Sequence, residues 1–338
     1  MGEYARSLAI AHAVRRQWPQ SSVHFVLSRQ APYAASAPYP KTLLDSSPTF
    51  HTAAVAGLIG EFKPHLVIFD NAGRTAHLRA AQAAGARVVY ISSRPRQRRK
   101  AFRWRWMRLI DEHWIAYPKF IAGALGLLEQ FKLNRLGRPA VRYLDVILSR
   151  GGEGRETILA QAGLKFDAYV LMIPGGGTGH PGAKDATNTF LAAANSLAQR
   201  GVRTVLVGAK GGAASQPGSQ LQCFESLPQA HLAKLMQAAR LIITNGGSTL
   251  LQAIASGGAC IAVPIAKDQP KRIRRCVEVQ AARAAALDAG SIVDAAGELL
   301  GDDAARARLA QRASDLKLAD GVEVALAALI RLMRARQA

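Results

Sequence analysis

Residues 241–265 read LIITNGGSTLLQAIASGGACIAVPI. The run LIIT is apolar and β-branched, short enough for a strand buried on both faces of a parallel sheet. Asn245-Gly246-Gly247 makes a turn, and Ser248-Thr249 opens a short helix whose first turn either hydroxyl can cap. Gly257-Gly258 closes that helix, and CIAV is a second buried strand that stops at Pro264. Strand, turn, helix, turn and strand in this order form one βαβ unit.

The same grammar extends in both directions. Strands are expected at Tyr169–Ile173, Thr204–Val207, Leu241–Thr244 and Cys260–Val263, with an Ala/Arg-rich helical tail from Asp302. Upstream, strands are expected at Val23–Leu27, Leu66–Asp70, Val88–Ile91, Trp114–Tyr117 and Arg142–Leu148, with helices at Tyr4–Gln17, Thr52–Phe62 and Thr75–Ala84. Ser149-Arg150-Gly151-Gly152 reads as a hinge. The expected fold class is α/β, with two Rossmann-like doubly wound domains facing a cleft, 1–150 and 151–338. The chain opens inside a helix, with Gly2 in the place of the last glycine of a strand–glycine turn, so the expectation is either a start internal to a longer gene product or a first domain that lacks its first strand.

The chain's 338 residues suit two domains at about 100–200 residues each. Hydrophobic residues make up 49% and charged residues 20%, which excludes wholesale disorder. No apolar run approaches the roughly 18 residues of a membrane span. The opening MGEYARSLAIAHAVRRQ lacks the pattern of a secretory signal, and three cysteines without CxxC spacing support neither a disulfide framework nor a zinc site. A cytoplasmic location is the expectation. The net charge of +21 calls for a polyanionic partner. Residues 1–150 hold 23 basic and 8 acidic side chains, net +15, so most of the excess lies in the first half.

Pro174-Gly175-Gly176-Gly177-Thr178-Gly179-His180 follows the strand YVLMI directly. Glycines at a strand's carboxyl end let backbone N–H groups approach an anion, as does the start of the following helix. The loop is neither GxGxxG nor GxxxxGK[ST], so dinucleotide oxidoreduction and P-loop phosphoryl transfer lose their support. Two glycine turns at successive strand ends favour a shared diphosphate site, although each alone can be a plain turn or an ordinary helix start.

With these residues quoted, the stretch from Leu232 to Arg275 resembles the donor-binding half of GT-B glycosyltransferases, above all the glycosyltransferase family 28 type that contains the peptidoglycan enzyme MurG. The shared pattern is Asn245-Gly246-Gly247-Ser248-Thr249, Gln252, Gly257-Gly258, Pro264 and Asp268-Gln269. Gly2-Glu3-Tyr4-Ala5-Arg6-Ser7 is similar to the first glycine loop and helix of the acceptor half. The resemblance implies that Gly175, Gly176, Gly177, Gly246, Gly247, Ser248 and Thr249, with Asn245, surround a donor diphosphate. It sets Phe224 beside the nucleobase and Asp268 and Gln269 on the sugar hydroxyls. Two positions depart from it: Gln252 stands where the family usually has a ribose-binding Glu, and Glu3 where it often has a His.

Glycosyl transfer requires a base for the acceptor hydroxyl and stabilisation of the leaving diphosphate. There is no DxD motif, since Asp302-Asp303 lies in the helical tail, so neither a metal nor a resident cofactor is expected. Helix N-termini and cationic groups, with His180 or Lys184, would stabilise the diphosphate of a nucleotide-sugar co-substrate, for which UDP-linked is the first expectation. Glu3 and Asp70 are the candidate catalytic bases. Asp70 ends the strand LVIFD and serves equally well as a helix cap, and Glu3 equally as a first-turn helix acid.

Residues 94–108, RPRQRRKAFRWRWMR, hold eight basic side chains and no acid. On a helix, Phe102, Trp106, Leu109 and Ile110 share one face among arginines, which is the pattern of an interfacial segment on an anionic membrane. Arg98, Arg99, Phe102, Arg103, Trp104 and Trp106 are the candidate membrane or acceptor contacts; a core-facing helix with a solvated basic face is the plainer alternative. The resulting expectation is a metal-independent, inverting hexosyltransferase of cell-envelope biogenesis, peripheral on the inner face of the cell membrane. It would serve a lipid-linked or envelope glycan acceptor, with no nucleic-acid partner. The rivals are a nucleotide-sugar hydrolase or epimerase on the same fold and a basic nucleic-acid-binding protein, which would leave both glycine turns idle.

Overall fold

The computed structural model describes residues 2–148, 153–175, 183–208 and 219–337. The chain divides into two compact units, Met1–Ile147 with Ala319–Ala338, and Leu148–Leu318.

The first unit begins with α1 (Gly2–Gln17), β1 (Phe25–Ser28), β2 (Lys41–Leu44), α2 (Thr52–Phe62), β3 (Leu66–Asp70) and α3 (Thr75–Ala83). It continues with β4 (Arg87–Ser92), α4 (Pro95–Ala101), α5 (Trp104–Met107), β5 (Glu112–Ile115), α6 (Lys119–Ala122), α7 (Leu127–Leu136) and β6 (Ala140–Tyr143). Strands β3, β4, β5 and β6 are neighbours in that order and parallel, while β1 and β2 form a separate parallel pair. Period-two alternation along β4 divides the core. Val88 and Tyr90 face a cluster with Val55, Ile59, Leu78 and Trp106, whereas Val89 and Ile91 face Ile10, Trp114 and Leu144.

That core corrects the reading of residues 94–108. Phe102 is 3% exposed and Trp106 is fully buried, so neither reaches a lipid boundary. The Trp106 ring meets Tyr90 edge-on at 5.1 Å and its Nε1 donates to Thr75 Oγ1 at 3.0 Å, while Phe102 packs against the His113 ring at 5.1 Å. The apolar stripe of α4 and α5 turns inward because these rings bury large areas while the indole N–H keeps a partner.

His113 is fully buried, its Nε2 2.8 Å from Ser92 Oγ. Burial, reinforced by the Arg98 charge, pushes its pKa from 6.5 down to about 3. The folded state therefore keeps the ring neutral while the unfolded chain protonates below 6.5, so this stabilising contribution is complete above 6.5 and is lost as pH falls towards 3. Unfolding free energy measured against pH is expected to decline over that window by at most about 1.4 kcal/mol per pH unit on this account. His113→Gln should flatten that decline.

The second unit contains α8 (Arg155–Gln161), β7 (Val170–Ile173), α9 (Ala183–Gln199), β8 (Thr204–Val207), β9 (Leu221–Phe224), α10 (Gln229–Ala238) and β10 (Leu241–Asn245). It goes on through α11 (Ser248–Ala255), β11 (Cys260–Val263), α12 (Gln269–Glu278), β12 (Arg283–Ala284), α13 (Ala289–Gly301) and α14 (Asp303–Asp315). Among the described residues its sheet is six-stranded and parallel, in the order β12-β11-β10-β7-β8-β9. Val170, Met172, Leu241, Ile243, Ile261 and Val263 face α9 and α13 in one cluster. From β7 the chain winds outward to β9, then returns to β10 on the other side of β7. Winding therefore reverses between β7 and β10, where an open α/β sheet leaves a crevice at its carboxyl edge.

The last helix, α15 (Gly321–Gln337), corrects the assignment of all of 151–338 to the second domain. Ala325, Ala328 and Leu329, at helical spacing, pack with Ile10, Val89, Ile91 and Trp114 of the first unit. Val146 pairs with Asp320, and a Cβ on Gly321 would run into the Leu144 carbonyl.

Candidate functional site

Two loci emerge, one in each unit. In the second unit, Gly175 follows β7 and Asn245-Gly246-Gly247 ends β10, so Gly175 and the second glycine turn flank the point where winding reverses. Gly175 has φ +115°, and a Cβ there would meet Asn245 Nδ2 at 2.6 Å. Asn245 is buried; its Nδ2 donates to Pro174 O at 3.1 Å, and its Oδ1 accepts the Gly247 N–H at 2.6 Å. The Gln269 Oε1 accepts the N–H groups of Gly246 at 3.1 Å and Ile265 at 2.9 Å. Asn245 and Gln269 thus hold the turns in shape. Gln269 is 6% exposed, and with its oxygen accepting two bonds it braces the turn.

Gly247 is the N-cap of α11 and itself makes no side-chain cap bond. The expectation that Ser248 or Thr249 is the cap is corrected, because both lie inside the first turn; Ser248 is exposed and Thr249 half-buried. The first turn of a helix presents N–H groups and the positive end of the helix dipole, which suits a phosphate. Arg272, which sequence reasoning missed, adds a guanidinium: it donates to Gly246 O and pairs with Asp268 at 3.2 Å. The available signal was its spacing four residues after Asp268 on α12. Asp268 itself is exposed, as a ligand contact requires, and Gln252 is half-buried within α11. Phe224 ends β9, on the sheet edge and separated from β10 by β7 and β8. Gly176, Gly177 and His180 lie outside the described residues, as does the side chain of Lys184.

A Cβ at Gly246 would lie 2.6 Å from Ile273 Cγ1 and 2.9 Å from Gln269 Cβ. Gly246→Ala is therefore expected to cost about 1–3 kcal/mol through overpacking, read as a lowered Tm, and to weaken anion binding at the turn.

In the first unit, Glu3 and Asp70 come together at the carboxyl end of β3 but differ in character. Arg6 grips Asp70 with two hydrogen bonds, Nε to Oδ2 at 3.0 Å and Nη2 to Oδ1 at 2.5 Å, and Ser7 Oγ adds a third at 3.1 Å. The two side chains are 7% and 10% exposed. Burial raises the Asp70 pKa, and Arg6 opposes that rise by favouring the ionised form. Glu3 is 45% exposed, and its Oε1 accepts Asn71 Nδ2 at 2.8 Å, with Arg94 3.7 Å away. Asn71, at φ +53°, also accepts the Ser93 N–H at 2.7 Å, so β3 and β4 jointly orient Glu3. Asp70 is a structural anchor locked by its arginine, and Glu3 is the more exposed of the two carboxylates. Among the described residues, no group of three His, Cys, Asp or Glu side chains is placed to hold a metal.

No protein-family model matches the sequence, and comparison with curated proteins finds no match. Solved structures do match. The chain is similar to a Polygonum tinctorium UDP-glucosyltransferase at TM-score 0.64 and 14% identity, covering 96% of this chain and 95% of that one. For Acinetobacter baumannii MurG the values are 0.63 and 15%, over 96% and 94%. For a Listeria monocytogenes putative UDP-N-acetylglucosamine 2-epimerase they are 0.54 and 13%, over 94% and 97%. The chain has the GT-B fold. At these identities the likeness carries the fold and leaves function to the residues.

Proposed function

We propose that this protein is a glycosyltransferase that moves a sugar from a nucleotide-sugar to a lipid-linked or cell-envelope glycan acceptor. The observation that carries the proposal is that Gly175 at the end of β7 and Gly246-Gly247 at the end of β10 flank the winding reversal of the second unit, with Gly247 opening helix α11 beside Arg272. Charge develops on the departing diphosphate during transfer, and fixed N–H groups with a guanidinium stabilise it without reorganisation. Glu3 takes the acceptor proton, and direct displacement inverts the anomeric centre. The chain works on the cytoplasmic face of a membrane, with a UDP-sugar as its first candidate donor. The acceptor chemistry follows from the resemblance to the MurG type and from the basic first unit.

The Listeria structure favours a second reading, an epimerase, with hydrolysis as the related alternative. Incubating the full chain with UDP-, GDP-, TDP- and CMP-sugars, with and without a bacterial polar lipid extract, separates the three. Transfer releases the nucleotide only with lipid present and moves the sugar into the organic phase. Free sugar without acceptor would instead mean hydrolysis, and an altered sugar on intact nucleotide epimerisation.

A further inference from the structure

An open cavity of about 690 Å³ lies at the amino edge of the first unit's sheet, the edge opposite Glu3 and Asp70. Arg87 at the start of β4, Asp111 just before β5 and Arg138 just before β6 line it, and α3 closes one side with Arg79 and Gln82. Gln82 Nε2 donates to Arg108 O at 3.2 Å, which ties that side to the end of α5. Gly85 stands in the wall, where a Cβ would meet no atom within 4 Å. Charge separates this cavity from the unit's other arginines. Arg6 has Asp70 at 2.5 Å, Arg98 has Glu129 at 2.6 Å and Arg142 has Glu112 at 2.9 Å, one carboxylate to each guanidinium. Arg98, expected at the lipid, also donates to the carbonyls of Ala122, Gly123 and Ala124, and so braces α4 against α7. At the cavity the pairing is looser.

Arg87 and Arg138 share Asp111, at 3.5 and 3.2 Å, long beside the roughly 2.7–2.9 Å of a charge-assisted hydrogen bond. The Asp111 carboxylate also accepts the Val88 N–H at 2.8 Å, so it anchors β4 while holding two guanidiniums at the cavity. With Arg79 the lining has three guanidiniums against one carboxylate, a net charge of +2. The volume suits a small molecule, since ligand cavities run to about 300–1,000 Å³. Guanidiniums set on α3, on β4 and before β6 fit a tetrahedral anion, whose oxygens point several ways, better than a planar carboxylate with two. A phosphomonoester carries about −1.5 to −2 at pH 7 and matches the +2, whereas a diester carries a single charge. We propose that this cavity binds the phosphate group of a small phosphomonoester. Roughly 16 Å of strand separates Arg87 from Ser92 at the other end of β4, so the site stands apart from the carboxylates of the carboxyl edge. It is independent of the transferase reading.

Calorimetric titration of the full chain at low salt with glycerol 3-phosphate, and with dimethyl phosphate as the diester, tests it. The monoester should bind saturably, and the diester at least about tenfold more weakly. Arg79 is exposed on α3, so R79Q should weaken monoester binding about tenfold, the loss of one charge-assisted contact, without moving Tm. R138Q should weaken it as much, and there Asp111 keeps Arg87 and the Val88 N–H as partners. Lowering the pH through about 6 should also weaken binding, as the monoester takes up its second proton. G247D alters a turn of the second unit and should bind the monoester like wild type. Wild type that takes up no monoester, equal binding of the diester, R79Q and R138Q that both bind like wild type, or loss of binding in G247D would each overturn the proposal. Nucleotide-sugar binding is titrated separately, and the transferase reading stands or falls on that titration alone.

Discussion

Glu3→Gln is expected to lower turnover by about 10²–10⁴-fold if Glu3 is the proposed base, the range for a positioned base that loses its proton-accepting charge. The amide keeps the carboxylate's shape. Its oxygen can still accept from Asn71, so neither the fold nor nucleotide binding in the second unit should change. The effect belongs in kcat. Steady-state rates with Tm and nucleotide Kd measured in parallel check it, and a variant retaining wild-type kcat would remove Glu3 as the base. The contrast with Asp70 is structural: a base needs a lone pair free for the acceptor, and three hydrogen bonds from Arg6 and Ser7 already engage Asp70.

Asp70→Ala instead removes stability. Arg6 is 6% exposed and would be left as an uncompensated charge at the end of β3. Breaking a buried pair by deleting one partner costs about 3–5 kcal/mol. In a domain of this size that is a fall in Tm of roughly 6–20 °C. The double variant R6M/D70L should recover part of the loss, because it removes the stranded charge together with its partner. Thermal melts of the single and double variants make the comparison; a single variant as stable as wild type would show that Asp70 is no anchor.

Much of the fold was legible because the central strands announce themselves. VVYI, TVLV, LIIT and CIAV are apolar runs that only a doubly covered sheet accommodates, and the strands of the second unit start where those runs start. The elements that escaped notice sit at edges. Lys41–Leu44, Leu221–Phe224 and Arg283–Ala284 are short, half-exposed and mixed in polarity, so no periodicity marks them. The helix at 321–337 carries no sign in sequence of which core it joins; only the tertiary contacts of Ala325, Ala328 and Leu329 reveal that.

The site was legible in position and less so in role. Gly175, Gly246 and Gly247 stand at strand ends as spacing put them, but Asn245 and Gln269 face inward because the N–H groups of the second turn need acceptors, a requirement invisible until the turn is folded. Helical periodicity found the apolar stripe of residues 94–108 and misassigned its side: a stripe that suits a membrane also suits a core. Arg98 shows the same ambiguity, a charge in sequence and a buried brace in space.

Calorimetric titration of a nucleotide-sugar panel onto the full wild-type chain and Gly247→Asp tests the central claim most directly. The variant sets a carboxylate where the donor diphosphate is expected, next to Asn245 Oδ1, which lies 2.5 Å from the position of the new Cβ. Saturable binding of one nucleotide class by wild type, abolished in a variant that still melts cooperatively, is the predicted result. Absence of nucleotide-sugar binding by wild type, or undiminished binding by Gly247→Asp, would contradict it.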